Sequence, residues 1–198
     1  KDFLRMAYPN REFLFGNVKI YKGEGSGLGL TLLSCEKYLQ QPFIFISCDT
    51  LVKGIIPPPN HNWMGYSFTD NLSKYRTLKI DNNKVSEICE KSVSKEKLHP
   101  YIGIAGINDY KIFWEAMHSG KTTAIQQGES YGMKSILEMN TIHANKFTWF
   151  DTGNIESISI ARNEYSEPNE PNILEKENEA IWFVGKNVII ITADTLVW

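Results

Sequence analysis

One short segment limits the fold more than any other part of the sequence. Residues Phe43-Ile44-Phe45-Ile46 form a continuous apolar run, with Pro42 before it and Cys48-Asp49-Thr50 after it. A run of this length between turn residues is typical of a β-strand that is buried on both faces. A strand of that kind lies in a sheet covered on both sides, so the segment predicts an α/β fold.

The residues before this strand predict a crossover connection. Residues 12–20 are rich in Phe and Val and predict a strand, and residues 22–29 form a glycine-rich loop. Apolar residues at helical spacing then predict a helix over residues 28–39. A strand, loop, helix and strand in this order form a crossover unit of a parallel sheet. Ligands of such sheets bind beyond the carboxyl ends of the strands, which is where Asp49 lies.

The rest of the chain predicts more elements of the same kind. Further strands are predicted at residues 75–80, 84–89, 101–107 and 145–150. Further helices are predicted at residues 109–119, 132–139 and 155–165. We therefore expect an α/β domain over residues 1–165, with a Rossmann-like, mostly parallel sheet and flanking helices.

The C-terminal residues predict an appendage to that domain. Residues 166–179 are polar, with two prolines and five glutamates, and are predicted to form a linker. Residues 180–198 contain a β-hairpin signal around Gly185-Lys186. We expect this hairpin to lie outside the main domain, as the possible start of a second one. The chain also begins inside what looks like the tail of an amphipathic helix, which predicts that it is a fragment.

Length and charge exclude several functions. A chain of 198 residues with 42% hydrophobic residues suits one domain with a short appendage. Its net charge of −2 gives no basis for binding nucleic acid by bulk charge, so any phosphate site must be local. No apolar run approaches the roughly 20 residues of a membrane-spanning helix. Cys35, Cys48 and Cys89 lack metal-ligand spacing and are predicted to be small buried hydrophobes in the reducing cytoplasm.

Two aspartates are candidates for a metal site. Asp49 follows the apolar strand, Asp151 follows the aromatic strand Phe147-Thr148-Trp149-Phe150, and each is followed by Thr. Carboxylates at the ends of two strands can converge on Mg²⁺, which is often bound by one or two carboxylates and substrate phosphates. The alternative is that each aspartate only caps the turn or helix that follows it.

Two further segments are candidates for phosphate or ligand binding. Glycines at residues 23–29 would let the backbone approach a ligand closely, although the pattern is neither a P-loop nor a dinucleotide fingerprint. The alternative is a flexible turn before a helix. Lys91, in Glu90-Lys91, could hold a phosphate as a point charge, or the two residues could be a solvated pair.

Trp149 lies two residues before Asp151 and, by strand alternation, on the same side of its strand.

Taken in order, five segments resemble the sugar-phosphate nucleotidyltransferase family. They are residues 27–33 (GLGLTLL), 43–50 (FIFISCDT), 87–91 (EICEK), 101–107 (YIGIAGI) and 149–153 (WFDTG). Their order is more specific than any one of them. The resemblance implies the family's α/β fold and its Mg²⁺-dependent reaction, which joins a nucleoside triphosphate to a phosphorylated sugar or amino alcohol and releases pyrophosphate.

The resemblance also implies roles for single residues. The catalytic residues would be Asp49, Asp151 and Lys91, with Asp49 and Asp151 binding the metal. The nucleotide-binding residues would be Gly27, Leu28, Gly29 and Asp49. The acceptor-binding residues would be Glu90, Lys91, Gly103 and Trp149. The branch that the sequence resembles most acts in surface-polysaccharide synthesis, with a small-molecule kinase whose first hairpin would begin within residues 172–185.

One departure from the family leaves two functional interpretations open. The family opens with a Gly-x-Gly-Thr/Ser-Arg loop that binds the nucleotide's phosphates, and nothing before Gly23 matches it. Losing such groups costs orders of magnitude in rate. The chain is therefore interpreted either as part of an active nucleotidyltransferase or as an inactive, nucleotidyltransferase-like module retained for binding or assembly.

Overall fold

A computed structural model describes residues 1–20, 22–91, 97–153, 155–165 and 188–191 of the chain. The strands in this part are β1 (Phe43–Ser47), β2 (Thr50–Lys53), β3 (Trp63–Tyr66), β4 (Thr77–Asp81), β5 (Lys84–Cys89), β6 (Leu98–Ile107), β7 (His143–Lys146), β8 (Thr148–Asp151) and β9 (Val188–Ile191). The α-helices are α1 (Asp2–Ala7), α2 (Leu28–Cys35), α3 (Tyr110–Ser119), α4 (Lys121–Gln127), α5 (Glu129–Met139) and α6 (Ile155–Tyr165). Among these helices, none is long and apolar enough to cross a membrane.

The main sheet is mixed. Its strand order is β3-β7-β5-β4-β6-β1-β9, and β3 also pairs with β6. The β1–β9 and β3–β7 pairs are parallel, and the other pairs are antiparallel. The α/β class with flanking helices is confirmed. The sheet has fewer parallel pairs than predicted because the long strand β6 runs antiparallel to three neighbours, β1, β3 and β4.

Strand β1 is buried on both faces, as its apolar sequence predicts. Phe43 and Phe45 belong to the core that the helices cover, and Phe43 packs edge-on against Phe113 and face-on against Trp114, at 5.6 Å each. Ile44 points into a second, smaller core that includes Trp63. All of the named β1 side chains are fully excluded from solvent. The strand therefore links the two cores.

A second, two-stranded sheet covers part of the other face. Strands β2 and β8 pair antiparallel, and Val52 and Trp149 pack against the second core. The predicted strand over residues 145–150 is in fact two strands, β7 and β8. They are separated at Phe147, whose backbone N–H donates to the Tyr66 carbonyl instead (3.0 Å). This break sends β7 to the main sheet and β8 to the small one.

Several other predictions are corrected by the structure. Residues 12–20 form no strand, and Gly16 in this segment lies close against Cys35 of α2. The sequence analysis does not predict helix α4, the first turn of α5, or strands β2 and β3. Of the cysteines, Cys89 is buried, Cys35 is partly buried and Cys48 is exposed in the turn after β1.

Only residues 188–191 of the predicted C-terminal appendage belong to the described part of the chain. The sequence assigns residues 187–193 to a hairpin outside the main domain, whereas Val188–Ile191 pairs in parallel with β1 in the main sheet. The predicted linker at residues 166–179 and the other strand of the hairpin lie outside the described residues. A second domain remains a prediction.

We expect Phe43→Ala to lower the free energy of unfolding by about 3–5 kcal/mol, because it leaves a cavity between β1 and α3. Urea unfolding followed by circular dichroism measures the change. Phe3→Ala is the control, since Phe3 is 78% exposed on α1. A loss at Phe43 no larger than the loss at Phe3 would contradict the central position of β1.

Candidate functional site

Backbone pairing brings the two predicted metal-binding aspartates together. Asp49 lies in the turn between β1 and β2, and Asp151 is the last residue of β8. In the β2–β8 ladder, Thr50 lies opposite Asp151. The backbone N–H and the hydroxyl of Thr152 both donate to the Asp49 carbonyl oxygen, at 2.9 and 3.0 Å. The ends of β1 and β8 are therefore fixed beside each other.

The two carboxylates approach a common point. A Cβ atom placed on Gly153 would lie 3.1 Å from Asp151 Oδ1 and 3.8 Å from Asp49 Oδ2. Asp151 Oδ1 accepts from the Gly153 N–H (2.9 Å), so Asp151 also stabilises the turn after β8. The capping and ligand-binding interpretations are thus compatible at Asp151, because a carboxylate oxygen has more than one acceptor position.

Tyr75 orients Asp151, and the sequence gives no signal for this contact. Its hydroxyl donates to Asp151 Oδ2 at 2.5 Å, and its ring packs edge-on against Trp149, with centroids 5.2 Å apart. Burial, the hydrogen bond to Asp151 and the charges of Asp151 and Asp49 all raise the pKa of Tyr75. The phenol therefore stays protonated and remains a hydrogen-bond donor. Both aspartate charges lie close enough to affect this hydroxyl.

A cavity of about 320 Å³ opens beside this corner. The predicted site residues that line it are Leu28, Asp49, Lys91, Gly103, Trp149 and Asp151. The lining residues that the sequence analysis missed as site residues include Lys74, Tyr75, Arg76, Tyr101 and Glu129. The cavity thus carries carboxylates and cations together, which suits a ligand with both phosphate groups and a bound metal ion.

Gly103 makes room at the cavity wall. Its φ of +73° lies in the region that favours glycine, and a Cβ there would lie 2.9 Å from the Cβ and Oγ atoms of Ser47. The neighbouring carbonyl of Ile102 accepts a hydrogen bond from the Thr50 hydroxyl. Glycine at this position lets β6 approach the end of β1, where the chain turns toward Asp49.

The glycines of the predicted nucleotide-binding segment pack against α4. A Cβ on Gly29 would lie 2.1 Å from the Ala124 carbonyl oxygen, and one on Gly27 would lie 2.5 Å from the Ile125 carbonyl oxygen. The close approach that requires glycine here is therefore between α2 and α4. Of the three predicted nucleotide-binding residues in this segment, Leu28 lines the cavity.

Glu90 does not line the cavity but binds the side chain of Arg76, which does. Arg76 Nε donates to Glu90 Oε2 at 3.1 Å, and Lys134 Nζ donates to Oε1. Burial alone would raise the pKa of Glu90, but the hydrogen bond from Lys134 and the charges of both cations hold it below its ordinary value. Arg76 lines the cavity and Glu90 does not. Glu90 thus fixes the guanidinium that faces the ligand space.

Glu129 is an ionisable group in an unusual environment. It begins α5, is only 3% exposed, and its Oε2 atom has no hydrogen-bond partner. Burial raises the pKa of Glu129 to about 7, although Arg76 and Tyr101 partly oppose this shift. Burial and the neighbouring Glu129 carboxyl raise the pKa of Tyr101, whose hydroxyl lies within hydrogen-bonding reach of that carboxyl.

The carboxylates fit a metal ion that arrives with its substrate. Within the described ranges, no three His, Cys, Asp or Glu side chains form a group that could hold a metal by themselves. Asp49 and Asp151 supply oxygen ligands near one point, and substrate phosphates and water would complete the shell that Mg²⁺ prefers. The pair therefore suits Mg²⁺ held between the protein and a phosphorylated ligand.

The fold matches that of known nucleotidyltransferases. A protein from Bacillus anthracis, assigned as a glucose-1-phosphate thymidylyltransferase, superposes with a TM-score of 0.61 at 15% identity, covering 76% of this chain and 65% of that one. A CTP:phosphocholine cytidylyltransferase from Streptococcus pneumoniae gives 0.60 at 9% identity, covering 83% and 73%. A UDP-glucose pyrophosphorylase gives 0.56 at 19% identity, covering 72% and 61%.

These likenesses establish the fold and not the activity. The chain spans less than two thirds of the length of the thymidylyltransferase and the pyrophosphorylase. No protein-family model and no curated protein matches the sequence. The nucleotidyltransferase fold that the sequence resemblance implies is confirmed.

We expect Glu129→Gln to stabilise the protein progressively as the pH rises. Below the ordinary pKa of 4.5, the Glu129 carboxyl is protonated in both the folded and the unfolded protein, so its burial carries no ionisation cost. Above the raised pKa of about 7, it is ionised in both states and the folded protein carries the full cost. The unfolding free energy of the variant, relative to that of the wild type, should therefore rise by about 3 kcal/mol between about pH 4 and about pH 8. Urea unfolding across this range measures the difference. Glu138→Gln, an exposed site on the same helix, should show no such trend.

Proposed function

We propose that this chain provides the transfer site of a nucleotidyltransferase, which joins a nucleoside triphosphate to a phosphorylated sugar or amino alcohol and releases pyrophosphate. The observation that carries the proposal is the convergence of Asp49 and Asp151 at the cavity of a nucleotidyltransferase fold. The structural neighbours named above include a glucose-1-phosphate thymidylyltransferase and a CTP:phosphocholine cytidylyltransferase, so both acceptor classes are compatible with the fold.

The proposed reaction needs positioning and charge neutralisation more than covalent chemistry. A phosphate oxygen of the acceptor attacks the α-phosphorus of the nucleotide, and the bond from that phosphorus to the bridging oxygen of pyrophosphate breaks. The nucleophilic oxygen is already ionised, so no side chain has to remove a proton. Alignment of the two substrates and stabilisation of the developing charge supply most of the rate.

Different side chains of the cavity would bind the metal ion, the phosphates, the nucleobase and the acceptor. Asp49 and Asp151 would hold Mg²⁺, which neutralises the charge of the nucleotide's phosphates when it is bound. Lys91 and Arg76, which line the cavity, would bind the acceptor's phosphate. Leu28 presents an apolar surface at the same cavity, which suits the nucleobase. Gly103 and Trp149 would shape the acceptor pocket.

The setting of the reaction is proposed from the sequence. The resemblance favours a role in surface-polysaccharide synthesis, beside a kinase. The exposed thiol of Cys48 is consistent with the reducing cytoplasm. The competing interpretation is an inactive, nucleotidyltransferase-like module retained for binding or assembly. The assay below separates the two.

We expect the full-length protein to release pyrophosphate with Mg²⁺, one nucleoside triphosphate and one acceptor from a panel of phosphorylated sugars and amino alcohols. Asp151→Asn should lower kcat by at least about a hundredfold, because it weakens charge stabilisation at the reacting phosphate. Asp81→Asn, at the exposed last residue of β4, is the control and should keep full activity.

Near-normal turnover by Asp151→Asn would contradict the metal-ligand assignment. If the folded wild-type protein releases no pyrophosphate with any member of the panel, the inactive module is favoured instead. Circular dichroism of each variant shows whether the fold is kept.

Tyr75→Phe tests the orienting hydrogen bond on Asp151. We expect it to lower kcat about tenfold, in the range seen when a group that orients a metal ligand is removed. A larger apparent dissociation constant for Mg²⁺, measured from the metal dependence of the rate, should accompany this loss. An unchanged metal dependence would show that Tyr75 only fills space beside Trp149.

A further inference from the structure

Lys134 of α5 is connected to the cavity through Glu90. Its Nζ atom donates to Glu90 Oε1 and, at 3.3 Å, to Oε1 of Gln127 at the end of α4. The other carboxylate oxygen, Glu90 Oε2, accepts from Arg76 Nε at 3.1 Å. Arg76 lines the cavity, whereas Lys134 and Glu90 do not. One carboxylate is therefore shared between a cation that faces the ligand space and a second cation outside it.

This arrangement leaves the three groups with a net positive charge. Burial raises the pKa of Glu90, but the hydrogen bond from Lys134 and the charges of both cations hold it below its ordinary value, so Glu90 is ionised at neutral pH. An isolated Arg76–Glu90 pair would be neutral and would attract an anion only weakly. Because Lys134 offsets the charge of Glu90, the guanidinium of Arg76 keeps its attraction for a phosphate.

A second carboxyl makes this offset more important. Burial raises the pKa of Glu129, and the charge of Arg76 opposes that shift, so the guanidinium also interacts with Glu129. Glu129 lines the same cavity as Arg76. Two carboxyls of the protein therefore compete with a ligand for one guanidinium, and Lys134 compensates one of them.

The same contacts fix the orientation of Glu90. The Glu90 side chain is 43% exposed, whereas the side chains of Arg76 and Lys134 are 19% and 30% exposed. A carboxylate this exposed has several rotamers open to it, and a charged donor on each oxygen restricts it to one. Glu90 follows β5 and Lys134 lies on α5, so the position of the guanidinium depends on the helix as well as on the sheet.

We infer that Lys134 is a positioning residue for the acceptor's phosphate: acting through Glu90, it holds the Arg76 guanidinium at the cavity and keeps the charge of that guanidinium available to the phosphate. The inference rests on the proposed function, in which Arg76 binds this phosphate, and extends the phosphate site to a residue outside the cavity. The competing interpretation is a partly exposed ion pair that only joins α5 to β5, and such pairs contribute little.

Affinity for a phosphate monoester tests the role of Lys134 without requiring turnover. Calorimetry on the full-length protein would use Mg²⁺, each of four nucleoside triphosphate analogues that cannot be cleaved at the α-phosphorus, and two probes, glucose 1-phosphate and phosphocholine. We expect Lys134→Met to weaken the tighter-binding probe about fivefold or more, because without the lysine charge Glu90 neutralises Arg76. In the pyrophosphate-release assay, KM for the acceptor should rise by a similar factor, with kcat nearly unchanged.

Three further variants separate this role from a structural one. Lys134→Arg should stay within about twofold of the wild type, because it keeps the charge and the donors. Lys111→Met, at an exposed position on α3, should leave the affinity unchanged. In a Glu90→Gln background, Lys134→Met should alter the affinity less than about twofold, because no carboxylate charge remains to be offset. Thermal unfolding confirms that each variant is folded under the conditions of the titration.

The outcomes distinguish this inference from the proposed function. An unchanged affinity in Lys134→Met, an equal loss in Lys134→Arg, or binding of neither probe to the wild type would overturn the inference. Pyrophosphate release with a KM for the acceptor that Lys134→Met leaves unchanged would uphold nucleotidyl transfer and overturn the role of Lys134. Binding of a phosphate monoester that depends on Lys134, without pyrophosphate release, would uphold that role and contradict the proposed function.

Discussion

The candidate site depends on the backbone contact between the ends of β1 and β8. Two hydrogen bonds from Thr152 to the Asp49 carbonyl, and the pairing of Thr50 with Asp151, join segments that are about a hundred residues apart in sequence. Because β1 is buried on both faces, its end is a rigid point of attachment. The carboxylates are therefore placed by backbone geometry, and their side chains are left available to a ligand.

Around this fixed pair, the cavity combines side chains of opposite charge. Cations such as Arg76 are suited to phosphates, whereas Asp49 and Asp151 are suited to a metal ion that accompanies those phosphates. Glu129 is buried at a cost that its surroundings do not fully offset. A site of this kind sacrifices some stability of the unliganded protein for recognition of a polar ligand.

The sequence predicts those features that depend on local pattern. The apolar run of β1 determines its burial, and Asp49 and Asp151 are recognisable because each follows a strand. Contacts made by packing of distant elements leave no such pattern. Tyr75 reaches Asp151 across 76 positions of the sequence, and Glu129 lines the same cavity from the start of α5. The strand directions were missed for the same reason, since pairing with β6 is a long-range choice.

The most direct test of nucleotidyl transfer at this site follows the phosphorus atoms. A mixture of the full-length protein, Mg²⁺, a nucleoside triphosphate and a phosphorylated acceptor would be observed by ³¹P NMR, with the acceptor's phosphate labelled with ¹⁸O. The account predicts a new diphosphate diester whose labelled oxygen bridges the two phosphorus atoms, together with unlabelled pyrophosphate. Formation of nucleoside diphosphate and inorganic phosphate, with the acceptor unchanged, would contradict it.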